Sequence, residues 1–343
     1  MAVHAARVRR RTLLVAAAAL GLAIAVIGPE SPAASIAQLP QGWRWESFGG
    51  VQVGIPGGWG WGNGAQRIGQ WCVDPHGAKP PIVGRPKGST LVGCSAPGAE
   101  SLIQNTGQIV AFQRTTPSLD GQIAGNSTNA EGDSLLIRRN GVDVTIIAEP
   151  ALRRQIAGTV HLVDVDANGC PTRDPVSINR TSRPAVVQSA QSLGEVQAVS
   201  VCQYQLVREP TRRPPETPAP ISEPEPPLYV EPEPRLIASA FLSGDEARAA
   251  VSGIGTTPTG SGPNRPWNCI EEAQYGDEVI VLRLSRTRGD SQVYLRYHGC
   301  NHHGFDDGTT VHRLTVPSAA PFLVAGVQVE GVDRSLGGLI RLG

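Results

Sequence analysis

Four of the chain's seven histidines, His298, His302, His303 and His312, fall in one run, HGCNHHGFDDGTTVH. Imidazoles beside the carboxylates of Asp306 and Asp307 are the ligand set of zinc and other borderline metals, and a zinc ion so held could activate water for hydrolysis. The spacing argues the other way. H-x-x-x-H-H here occupies a Gly-flanked loop, not the rigid helix of a metalloprotease, and no H-E-x-x-H accompanies it. Residues 305–308, FDDG, read equally well as a polar turn. No cofactor is therefore expected, and zinc at His298, His302, His303 and His312 is the alternative.

Other motifs weaken in the same way. Gly132-Asp133-Ser134-Leu135 spells the nucleophile block of one serine esterase family, but it opens a strand of a hairpin, and Gly289-Asp290-Ser291 repeats the triplet in another turn. Asp164, Asp166, Asn168 and Gly169 match the first half of a calcium loop. The twelfth position, which should supply a bidentate Glu, is Pro175. A polar turn after the strand TVHLVDV is the better reading. No catalytic residue is assigned. Five of the six tryptophans lie between Trp43 and Trp71. Trp59 and Trp61 could form a flat platform for sugar rings, whereas a glycine-rich fold also uses such rings to fill its core, and the second reading is preferred.

The six cysteines are Cys72, Cys94, Cys170, Cys202, Cys269 and Cys300, with no CxxC pair. An even count in an exported chain reads as three disulfides. Pairing neighbour with neighbour (72–94, 170–202, 269–300) is the economical choice among the 15 connectivities that six cysteines allow. Export itself is read from residues 1–37. Arg7, Arg9, Arg10 and Arg11 precede the apolar run Thr12 to Gly28, then Pro29 and small residues up to Ala37. This is the order of a secretory signal, and it is also at the lower edge of a membrane anchor's length. Either form engages the export machinery and leaves the body outside. Acids and bases number 30 each; setting aside four Arg and Glu30 from residues 1–37 leaves 26 bases against 29 acids. Such a surface offers no footprint for nucleic acid.

The elements that would position these residues are short. Val51, Val53 and Ile55 alternate as a strand that Pro56 ends. SLLIRR, Asn140-Gly141 and VDVTIIAE form a hairpin with a primed turn. Pro150 can begin a helix over 150–157, with Leu152 and Ile156 on one face. Further strands are expected at 199–204, 236–242, 278–284, 292–297 and 309–314. Ser243 and Glu246 form a capping box for a helix carrying Ala247, Ala250 and Val251. Tyr294, Arg296 and His298 share a strand face that reads as solvated. If 292–298 pairs with 309–314, His298 and His312 approach across that hairpin. Residues 209–234 hold 10 prolines and six glutamates and read as an extended, solvated insertion between two strands.

The stretch from Trp45 to about Val165 resembles exported domains of the PsbP/Mog1-like kind, on Val51, Val53, Ile55, Pro56 and Trp59 and on the hairpin and helix over 134–157. The remainder, with its cysteines at 170, 202, 269 and 300, is similar to the C-terminal part of uncharacterised secreted actinobacterial proteins. The resemblance implies no catalytic residue. The expected fold class is α+β, with two small domains of antiparallel sheets and short covering helices. Their expected limits are 38–165 and 166–343, after the export segment 1–37. The expected function is a non-enzymatic binding or structural module of the cell envelope or exterior, with a protein or cell-wall glycan as partner. The alternative is a secreted metal-dependent hydrolase using the loop from His298 to His312.

Overall fold

The structure, a computed structural model, describes residues 39–61, 81–85, 108–115, 127–131, 134–186, 193–207, 235–265, 267 and 269–327. The signal-like stretch 1–37, Cys72, Cys94, Gly132-Asp133 and the Pro/Glu-rich segment lie outside the described residues. All described residues fall in one compact unit, Leu39–Gly343.

In the first half, β1 (Trp43–Phe48) and β2 (Val51–Pro56) form a hairpin. Its corner is Gly49-Gly50, with φ of 57° and 85°. Val51, Val53 and Ile55 of β2 point into a core with Phe48, Phe112 and Ile146. The opposite side of β2 is also buried. There Gly54 donates its N–H to Thr159 Oγ1 at 2.8 Å. A Cβ at Gly54 would lie 2.2 Å from Leu39 Cδ2 and 3.2 Å from Thr159 Cγ2, so any larger residue here must displace the Leu39 side chain and crowd Thr159.

A second sheet runs β3-β4-β5-β8-β7-β6, from β3 (Gly60–Trp61), β4 (Ile82–Gly84), β5 (Ile109–Arg114), β6 (Ser127–Glu131), β7 (Ser134–Arg139) and β8 (Val142–Ile147). The β7–β8 hairpin closes at Asn140 (φ 45°) and Gly141 (φ 74°), the two left-handed residues that a primed turn requires. The β3–β4 and β4–β5 pairs are parallel. This corrects the expectation of purely antiparallel sheets, because such neighbours need crossover connections and cannot be joined by tight turns. Helix α1 (Pro150–Gly158) starts with Pro at its first turn and buries Ile156. The chain then returns to β2 as β9 (His161–Leu162).

The second half begins with α2 (Pro175–Ile178), capped by the Asp174 carboxylate accepting from the Val176 N–H. Its sheet has the order β11-β10-β12-β13-β14-β15. The strands are β10 (Val196–Gln205), β11 (Leu236–Ser243), β12 (Glu278–Arg286), β13 (Gly289–Arg296), β14 (Gly304–Asp306) and β15 (Val311–His312), with α3 (Gly244–Gly255) after β11 and α4 (Val316–Ala319) after β15. Every neighbouring pair in this sheet is antiparallel. One face carries Val199, Val201, Leu282 and Leu295 against Ala247, Ala250 and Ile254 of α3. The expected capping box is absent: Ser243 is the N-cap but makes no side-chain cap bond. The chain enters α3 through Gly244 at φ 56°, a left-handed step that a capping box does not have.

Two expectations about the other face are corrected. Tyr294 and Arg296 are buried, because residues 163–186 fold back over this side of the sheet. Arg296 donates to the Ser182 carbonyl at 2.6 Å. In addition, β14 intervenes between β13 and β15, so the expected strands 292–298 and 309–314 do not pair directly, and His298 lies past the end of β13. Arg183 grips Asp306 of β14 through two bonds of 2.8 and 2.6 Å and so holds the covering segment to the sheet.

The halves meet where the Gly49 N–H donates to the Leu236 carbonyl at 2.8 Å. Arg235 donates to the Asn140 carbonyl at 2.8 Å, and Ile237 of β11 packs on the first core. The whole is strand-rich with few helices, an α+β arrangement.

Candidate functional site

The four clustered histidines each have their own partners. His298 Nδ1 accepts from the Asp277 N–H at 3.0 Å. His312 Nδ1 meets the Thr257 carbonyl at 3.1 Å. His302, in the left-handed region at φ 58°, stacks its ring on Tyr275 with centroids 4.4 Å apart. Its Nε2 lies 3.0 Å from Gln274 Oε1. Burial first, then the Arg296 charge and His303, lower its pKa. His303 is wholly buried and donates from Nδ1 to the Pro263 carbonyl at 2.5 Å. Burial lowers its pKa against the pull of that bond. Among the described residues no group of three or more His, Cys, Asp or Glu side chains is placed to share a metal ion.

Trp59 is 5% exposed and belongs to the first core, so it cannot present a stacking face, which corrects its candidacy as a binding surface. Its position just after the Pro56-Gly57-Gly58 corner returns the ring beneath the sheet. Trp61 is half-buried and donates from Nε1 to Glu46 at 2.8 Å. One face of it is occupied by the Arg44 guanidinium, 4.1 Å from the ring centroid. Glu46 also pairs with Arg85. Although burial opposes it, these arginines hold the Glu46 pKa below its ordinary value.

Of the cysteines, Cys170–Cys202 and Cys269–Cys300 are bonded as expected, with Cα atoms 5.5 and 5.6 Å apart. Cys170–Cys202 stitches the segment 163–186 to β10. Asp166 reinforces it. One carboxylate oxygen accepts from the N–H groups of Asn168 and Cys170, at 3.0 and 2.9 Å, and the other accepts from the Ser239 hydroxyl of β11. The calcium-like D-x-D-x-N-G run is thus a turn that binds its own backbone. Tyr204 Oη donates to the Pro171 carbonyl at 2.7 Å, and burial pushes this phenol's pKa far up.

This segment covers only part of the sheet face. Beyond it lies an open groove of about 630 Å³, a size common for small-molecule sites. Its floor is one row across four strands. Phe241 of β11 opposes Ser200 of β10, Ser200 opposes Arg283 of β12, and Arg283 opposes Gln292 of β13. Asn168, Gly169 and Ala185 form a wall, and Asp290 stands at the exposed rim. Gly169 (φ 81°) lies so close that a Cβ would be 2.7 Å from Ser200 Oγ. Only glycine lets wall and floor meet there. Among the described residues the lining contains no histidine or cysteine and a single carboxylate. Ser291, the serine of the second Gly-Asp-Ser, accepts from Arg286 Nε at 3.1 Å. The groove was not legible in the sequence. Its one signal is polar Ser200, Arg283 and Gln292 standing at matching registers of three neighbouring strands.

Compared with protein-family models, curated proteins and solved structures, the chain matches none. Among the described residues no helix is long and apolar enough to cross a membrane. The two disulfides fit an oxidising, extracytoplasmic compartment.

Proposed function

We propose that this chain is an exported protein that works outside the cytoplasmic membrane by non-catalytic binding. Its partner would be a protein or a cell-wall glycan. The observation that carries the reading is the Cys170–Cys202 bridge, which fastens the wall of an open groove to its floor. Such a bridge persists in an oxidising compartment, and a stapled wall gives a preformed concave surface. The groove's lining supports binding over hydrolysis, because general acid–base work needs a titratable pair at the reacting atoms and, among the described residues, Asp290 is the one carboxylate at hand. Fusing residues 1–60 to a reporter active only after translocation tests the location: an active reporter is expected, and an inactive one retained in the cytoplasm overturns it. Elemental analysis tests the activity. One zinc per purified chain, lost in His302→Ala, would put a metal-dependent hydrolase in its place.

A further inference from the structure

We infer that the groove on the uncovered sheet face is a binding site for a monocarboxylate with an apolar body, held by Arg283 and packed on Phe241. The inference rests on the reading of the chain as a binding protein and names the chemistry of its ligand.

The argument is one of donors and acceptors. Arg283 is half-buried in the groove floor and, among the described residues, makes no hydrogen bond or ion pair. A guanidinium presents five N–H donors in a rigid fork, so its position leaves strong donors facing the groove. Asp290 stands at the exposed rim and makes no ion pair with Arg283, and two further acids, Asp166 and Asp174, are already engaged. Asp166 accepts from two backbone N–H groups and Ser239. Asp174 caps α2 through Val176 and lies 3.5 Å from the Tyr294 hydroxyl. Asp174 feels Arg283 only through space. Among the described residues no acceptor reaches the Arg283 guanidinium, and a ligand carboxylate would supply one.

Ligand charge and shape follow from the rest of the row. A carboxylate matches the guanidinium fork with two parallel bonds. A phosphate dianion would need more than one cation, and the lining balances Arg283 with Asp290 at the rim. Ser200 and Gln292 flank Arg283 on either side across the strands and can donate to the same carboxylate. Phe241 is 53% exposed at one end of the row. It therefore offers an unspent apolar face next to Ser200 on the same side of the sheet, where a hydrocarbon or aromatic body would sit. Because the disulfide and Asp166 fix the wall, little ordering entropy opposes binding.

The test uses the full exported chain and 3-phenylpropionate, with 3-phenylpropionamide and phenylethylamine as neutral and cationic controls. Saturable binding of the carboxylate is expected by calorimetry, with chemical-shift changes confined to the Phe241–Gln292 row. Arg283→Gln should weaken it about tenfold or more, the loss of a charge-assisted pair. Arg283→Lys should restore it only in part, since an ammonium lacks the fork. Phe241→Ser, an exposed change that leaves the core intact, should weaken binding several-fold at unchanged melting temperature. Equal binding of acid and amide, or unaltered affinity in Arg283→Gln, would falsify the carboxylate site. Amine or amide binding in the groove without acid binding would overturn this inference and leave the binding reading standing. Turnover of ester or glycoside substrates with no groove binding would overturn both.

Discussion

His303 shows how one ring can report on the pH response of the whole fold. It is buried, and its Nδ1–H is committed to the Pro263 carbonyl. Its Nε2 has no hydrogen-bond partner among the described residues. Burial lowers the native pKa below the unfolded value of about 6.5. As pH falls through that value the unfolded chain takes up the proton first, so stability present above about pH 6.5 is lost progressively below it. Asn at this position keeps a donor for Pro263 but does not titrate. The stability of His303→Asn should therefore fall less than that of the parent between about pH 7.5 and 5 in parallel urea titrations. Asp174 titrates in both proteins and cancels in the comparison, whereas His302, whose pKa His303 helps to lower, is depressed less in the variant and shifts the difference in the same direction. An equal acid loss in parent and variant would show that His303 does not carry it.

At the scale of elements, the disulfide at Cys170 is the strongest single tie in the covering segment. Its partners are 32 residues apart, so removing it with Cys170→Ser and Cys202→Ser should lower stability by roughly 3–4 kcal/mol. Urea unfolding measures this. A loss below about 1 kcal/mol would mean that the Asp166–Ser239 and Tyr204–Pro171 bonds hold the segment unaided. What was legible in the sequence at this scale was local. Asn140-Gly141 encodes its hairpin, Pro150 its helix start, and alternation the strands around Val53 and Val281. What was not legible was contact between distant segments. Arg296 on a strand face reads as solvated until residues 163–186 are known to lie over it. Strand β14 escapes because three residues, Gly304 to Asp306, carry no periodicity. The groove combines both difficulties, since its floor draws on four strands and its wall on a loop tied down by a distant cysteine.

For the whole molecule, the position of the Pro/Glu-rich segment is set by the strands on either side. The Gln205 N–H donates to the Arg235 carbonyl at 3.0 Å, so the chain leaves and re-enters the sheet at adjacent points. Replacing residues 208–234 by a short glycine-rich turn should accordingly leave the melting temperature almost unchanged, because closure entropy depends only weakly on loop length. A large drop would show that the segment contributes packing of its own. The same topology has a second consequence. In the sheet, β10 lies between β11 and β12, yet β10 precedes the segment in sequence and both neighbours follow it. Neither Cys170–Cys202 nor Cys269–Cys300 spans it. A protease cut between 207 and 235 would thus turn one chain into two polypeptides without a described covalent link. The first would donate a single strand into the gap between two strands of the second, as in donor-strand complementation.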